Sequence, residues 1–455
     1  MKKIICFLFV IVFVLSFAAG CMRVPEKPEE DYEVDLDIDK NITETITIGI
    51  TNFEAEEIAT EALIEGFNDI FPNVTVNVKK IGGVGFNQQI INMYNADLKN
   101  PGIMPDIIYT NSADGLQLIG KDILLNIQPY FDAAQEKGTL NLDDYYENYM
   151  KLGQKGYDGD QYIIPRSADH VVVQYNKTMF EAAGVNMSKV KNGWSWQDFL
   201  DTLDTLKAHF VQNKDTIGVD TPLEMHLTWE ATWNPILVSN GAKVFNDDGS
   251  IALDSAETRK ALQMIQELDT KGYIGSGGFG SGQAAILVHS QAASIGKAQI
   301  EALTYNGKKC EYDVVSFPEI GENPKVGCGV PGYGIYARSQ KRDIAWQFLQ
   351  YVLSKEGQDA LTGGGYNSVP VRKDMADPKT NKWGEGMDDV NLEAYTYNMQ
   401  NDIPTDFHVK YDVSYSYDLI SALGNMVYYA ISDYTIDEAI EKCVGELKYI
   451  IGRPA

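Results

Sequence analysis

From Thr45 onward, short β-branched runs take turns with stretches whose apolar positions recur every three or four residues. Residues 45–50 (TITIGI) alternate and predict a strand; Ile58, Ala62, Ile64, Phe67 and Ile70 mark one face of a helix over 56–71. Pro72-Asn73 stops that helix, and 74–78 predict a second strand. A helix over 88–98 ends at Asn100-Pro101-Gly102, before a short buried-type strand over 106–109. The same rhythm predicts strands over 170–175, 284–289 and 334–337, and helices over 196–210 (capped by Ser195), 256–268 and 343–353. Asp158-Gly159 and Asn246-Asp247-Asp248-Gly249 are turn signals. Strands alternating with helices predict an α/β fold with parallel pairing. No period of solenoid length repeats. A chain of 455 residues needs more than one core, yet no clean linker divides it. Two lobes, each visited several times by the chain, satisfy both facts.

The N-terminus follows a different pattern. Lys2-Lys3, an apolar run over 4–17 and Ala18-Ala19-Gly20 predict a secretory signal over 1–20. The run is short for a membrane span, and no cationic stop-transfer cluster follows it. Ala-Ala-Gly-Cys at 18–21 resembles the lipobox of bacterial lipoproteins, departing from it at Ala18, where leucine is usual. The resemblance implies acylation of Cys21 and anchoring on the extracytoplasmic face of the membrane. Residues 21–43 are rich in Pro, Asp and Glu and read as a tether holding the folded part off the surface. Asp35, Asp37 and Asp39 do not make a calcium loop, because Lys40 stands where the turn glycine belongs.

Charge and chemistry narrow the function. A formal net charge of −26 repels phosphate backbones and excludes general nucleic-acid binding. Five His and five Cys, scattered and without CxxC or HExxH spacing, predict no metal and no cofactor. Cys310 and Cys328 either pair or, with Cys443, remain free buried thiols. Residues 275–280 spell GxGxxG, but a helix precedes them and a strand follows, the reverse of the dinucleotide-binding order. No catalytic signature is present, so no catalytic residue is nominated. The 26 Tyr, 17 Phe and 6 Trp are more informative, because many adjoin small polar residues. Most such rings fill cores, but a ring beside Asp, Asn or Glu also fits a sugar face and its hydroxyls.

Several segments together resemble the family 1 extracellular solute-binding proteins, the maltose-binding-protein-like receptors of ABC importers. They are Met104 to Tyr109, Tyr162 to Pro165 with Tyr175-Asn176-Lys177, Trp196 to Phe199, Asn240-Gly241, FGSGQAAILV at 279–288, Tyr333-Gly334-Ile335, AWQFL at 345–349 and Ile436 to Ile440. The resemblance implies a two-lobed α/β fold with several interlobe crossings and a ligand cleft. It places an N-terminal lobe at 44–168 plus 331–370 and a C-terminal lobe at 169–330 plus 371–455. By motif position it sets Asn52, Glu54, Asn111, Ser112, Asp169, Trp229, Trp233, Ser290, Tyr333 and Tyr366 at the ligand. It implies a monomeric receptor that captures a sugar or oligosaccharide and delivers it to ABC permease subunits. Alternatives are a receptor for a peptide, polyamine or other cationic solute, or a surface glycosidase.

Overall fold

The computed structural model describes residues 32–82, 85–155, 159–214, 218–219, 221–363, 368–403 and 415–452. Strand β1 (Glu44–Thr51) buries Ile46, Ile48 and Ile50 completely. The helix Glu54–Ile70 turns Ala59, Leu63 and Phe67 inward and returns the chain to β2 (Val74–Ile81), parallel to β1. A second helix, Phe86–Asp97, leads to β3 (Ile107–Asn111) on the other edge of β1. The chain then runs through β4 (Ile163–Pro165), β5 (Asp169–His170), β6 (Val172–Asn176), β7 (Leu223–Met225) and β8 (Ile286–His289). A small hairpin of β9 (Thr304–Tyr305) and β10 (Lys308–Lys309) precedes β11 (Tyr312–Ser316), β12 (Val326–Gly329), β13 (Pro331–Ile335) and β14 (Asp402–Ile403).

These strands form two principal sheets. One has the order β2-β1-β3-β13-β4, the other β11-β6-β8-β7. A small sheet, β14-β12-β5, lies where the chain passes between them: β4 leads out of the first sheet through β5 into β6, and β12 leads back into β13. The predicted strand over 170–175 is therefore two strands, broken at Val171 where the chain changes partners. The strand predicted over 334–337 begins earlier, at Pro331, and its glycines are packing positions. A Cβ on Gly332 would lie 2.3 Å from the Ile164 carbonyl oxygen.

The crossing region is polar inside. His170 Nδ1 lies 2.8 Å from Asp402 Oδ2, the Tyr149 hydroxyl donates to the same carboxylate, and all three are buried. Burial is the first cause holding the Asp402 pKa above the ordinary carboxylate range.

One expectation about the periphery needs correction, and one open alternative is decided. Residues 32–42 are a docked strap, not a free stalk. Tyr32, Val34, Leu36, Ile38 and Ile42 are half-buried against the first lobe, while the acids between them face water. The Tyr32 hydroxyl donates to the Asn126 carbonyl at 2.6 Å, the Arg342 guanidinium sits 5.0 Å from its ring centroid, and Gln347 donates to the Leu36 carbonyl. Acidic composition concealed a period of two. Cys310, Cys328 and Cys443 are free and buried, with no disulfide between the first two. The signal, Cys21, Asp158 of the first turn signal and Tyr366 lie outside the described residues. Among those described, no helix is long and apolar enough to cross a membrane.

Candidate functional site

The first wall of the site grows from the end of β1. A helix start ordinarily carries Ser, Thr, Asp or Asn as its cap. Here that position is Phe53, which offers no capping hydrogen bond and holds its ring 64% exposed. Glu54, Glu56 and Glu57 in the first turn favour the positive end of the helix dipole. Phe53 and Glu54 border a cavity of about 560 Å³ with Ile58, Tyr109, Arg166 and, from the other lobe, the exposed Ile295. That volume suits a small-molecule cleft, for which about 300–1,000 Å³ is typical.

Beneath it is a buried polar cluster. Arg166 Nη2 pairs with Glu56 Oε2 at 2.7 Å, and the Tyr333 hydroxyl donates to Glu56 Oε1 at 3.2 Å. The guanidinium carbon lies 5.7 Å from the Tyr109 ring centroid, and Tyr109 meets Tyr333 edge-on at 6.1 Å. Burial opposes the charge on Arg166, but Glu56, Tyr333, Tyr109 and Asp169 together outweigh it and keep the guanidinium protonated.

A second polar group lies on the crossing sheet and at the end of β8. Asp169 on β5 lies beside Gly329 on β12, where a Cβ would sit 2.9 Å from Asp169 Oδ2. Burial pushes the Asp169 carboxyl up to about 6, against a hydrogen bond from Ser290 and the nearby Arg166 charge. Ser290 follows β8, and at the end of that strand His289 stacks on Trp229 with centroids 4.9 Å apart. Burial, then the neighbouring His226, lowers the His289 pKa.

Of the residues nominated from sequence, Glu54 borders the cavity and Asp169 joins Ser290. Trp229 is half-buried against His289, and Asn52 is exposed on the loop that carries Phe53. Asn111 is exposed at the end of β3, and Ser112 opens the helix Ser112–Gly120. Two nominations belong to the interior instead. Trp233 is 1% exposed, its indole N–H on the Thr228 carbonyl, so it offers no free ring face. Tyr333 is fully buried and acts from below, through Glu56. Sequence reasoning missed Phe53, Tyr109, Arg166, His289 and Ile295. An aromatic at a helix cap was the one legible signal among them.

A second cavity, about 650 Å³, lies under the strap between Leu36, Ile38, Phe71, Tyr145 and Arg372. Every guanidinium nitrogen of Arg372 is engaged, by Asp144, Asp374 and the Tyr145 hydroxyl. It has no spare donor for a ligand. Among the described residues no group of His, Cys, Asp and Glu is placed to hold a metal.

Comparison with known proteins agrees with this architecture. The chain is 26% identical over 215 residues to a periplasmic-binding protein of an ABC transporter from Escherichia coli, covering 47% of this chain and 46% of that one. It is 24% identical over 127 residues to an arabinooligosaccharide-binding protein from Halalkalibacterium halodurans, covering 28% and 26%. The chain thus spans less than half the length of these curated relatives. In structure it is similar to an ABC substrate-binding protein from Listeria monocytogenes solved with cycloalternan, with a TM-score of 0.71 at 17% identity, covering 91% of this chain and 100% of that one. That likeness establishes the two-lobed α/β fold. The sequence profile of the bacterial extracellular solute-binding proteins matches residues 62–389, and the chain belongs to that family.

Proposed function

We propose that this protein captures a sugar or oligosaccharide in the interlobe cleft by closure of the lobes and delivers it to the permease of an ABC importer, without altering it. The observation that carries this reading is the 560 Å³ cleft, with exposed Phe53 and Glu54 on one lobe and exposed Ile295 on the other. A solute touching both walls favours the closed form by its differential contacts. A flat apolar ring at Phe53 suits a sugar face, while carboxylates and a guanidinium take hydroxyls. The saccharide ligands of the Halalkalibacterium and Listeria relatives support the same class. The signal pattern at 1–20 and Cys21 support a lipid anchor on the outer face of the membrane.

A thermal-shift screen across neutral mono- and oligosaccharides tests the reading, because a ligand of the folded state raises the melting temperature. The expected result is a shift with at least one saccharide that is lost in Phe53→Ala and leaves the saccharide intact by chromatography. A shift unaffected by Phe53→Ala would move the site elsewhere, and turnover would make the protein an enzyme.

A further inference from the structure

Arg166 is a buried guanidinium with two of its three nitrogens unpartnered among the described residues. Its backbone is fixed on both sides: the N–H donates to the Pro331 carbonyl at 2.9 Å, and the carbonyl accepts from Gln358 Nε2 at 2.8 Å. Glu56 holds Nη2, yet Nε and Nη1 have no hydrogen-bond partner among the described residues, although Arg166 is 8% exposed and borders the cleft. Buried donors without partners are rare in folded proteins and call for an explanation. A ligand acceptor supplies one.

The geometry of the guanidinium limits what that ligand is. Its open two-pronged edges are Nε with Nη2 and Nη1 with Nη2, and Glu56 takes one of the two N–H groups on Nη2. The remaining edge, between Nε and Nη1, is blocked by Cδ. The unpartnered Nε and Nη1 therefore reach two separate acceptors, spaced as hydroxyls around a sugar ring are. Charge points the same way. Glu54 and Glu56 border the cavity, Asp169 lies next to Arg166, and no lysine is among the described residues that border it. A carboxylated solute would meet three carboxylates against one guanidinium. An ammonium in its place would leave the Arg166 donors unmatched.

We infer that Arg166 is the donor that reads the solute, and that this cleft selects uncharged polyhydroxylated ligands over the corresponding uronates and amino sugars. The inference rests on the saccharide reading of the cleft. Its test is calorimetry on the full chain with four probes: maltotriose, arabinotriose, trigalacturonate and the glucosamine trimer. The expected result is that a neutral trisaccharide binds at least about tenfold more tightly than either charged one. Arg166→Lys keeps a cation for Glu56 but not the fan of donors. It is expected to melt near the wild-type temperature and to lose affinity by about tenfold or more. Binding of either charged probe as tight as the neutral ones overturns the inference and leaves the saccharide reading standing. Unchanged affinity in a folded Arg166→Lys protein also overturns it. If that variant does not fold, the wild-type panel alone decides. If no saccharide binds, the saccharide reading fails and this inference fails with it.

Discussion

Replacing Asp169 by asparagine removes a charge that the fold holds at a disadvantage. The Asp169 carboxyl titrates near 6 in the folded protein, against about 3.9 in an unfolded chain. Between those values the folded state binds more protons than the unfolded one, so stability falls as pH rises. This contribution is fully present below about pH 4 and is lost as pH passes about 6. A difference of about two units corresponds to at most about 3 kcal/mol. Solvent reaching the half-buried carboxylate trims that to about 1.5 kcal/mol. The amide of the Asp169→Asn variant keeps an acceptor for the Ser290 hydroxyl, so the substitution changes charge more than packing. Urea unfolding of both proteins at intervals from pH 4 to 8 isolates the effect, because every other titrating group cancels in the difference. The variant should match the wild type near pH 4 and exceed it by about 1–3 kcal/mol at pH 7. A flat difference, or one in which the variant loses ground as pH rises, would refute the assignment of burial as the dominant cause.

Phe53→Ser should separate binding from stability in opposite directions. A serine at the helix cap stabilises by about 0.5–1 kcal/mol in denaturant titrations, while calorimetry should show weaker solute binding. Trp233→Ala should cost about 3–5 kcal/mol in the same titrations, whereas Trp229→Ala, half-buried against His289, should weaken binding with a smaller loss of stability. Leu36→Asp in the strap should lower unfolding stability by about 1–2 kcal/mol and leave solute affinity unchanged, since the strap lies away from the cleft; an affinity change would connect the two.

The fold was legible where burial is written as periodicity. The first helix, predicted over 56–71, runs over Glu54–Ile70, and Ser195 caps its helix with the reciprocal Asp198 partner. The strap was not legible, because Tyr32, Val34, Leu36 and Ile38 are each separated by an acid and the composition outweighs the alternation. Residues 170–175 were read as one strand because apolarity carries no information about which sheet a strand joins. Only the pairing of β5 with β12 and of β6 with β8 shows the break. At the site, Trp229 and Trp233 are one helical turn apart and equally aromatic. What distinguishes them is depth: Trp229 precedes the helix Glu230–Ser239, and Trp233 faces inward from it. Arg166 was overlooked because nothing in a one-dimensional string marks a guanidinium whose partners are missing.

The position of Arg166 just after β4 and of Asp169 at the start of β5 has a mechanical consequence. Segments that run between lobes are the few places where the backbone belongs to neither rigid half, and hinges there absorb the change in angle when the halves close. Arg166 is nonetheless pinned, to Pro331 on the returning strand and to Gln358 on the helix Lys355–Thr362, and its partner Glu56 belongs to the first lobe. Asp169 instead answers to Ser290, which belongs to the second. Two residues separate groups that are held by opposite halves of the molecule. A solute bridging Arg166 and Asp169 therefore couples the lobes through the shortest path available in the chain. A solute whose contacts were confined to one lobe would bind without biasing closure, since a ligand shifts an equilibrium only by its difference in affinity for the two states.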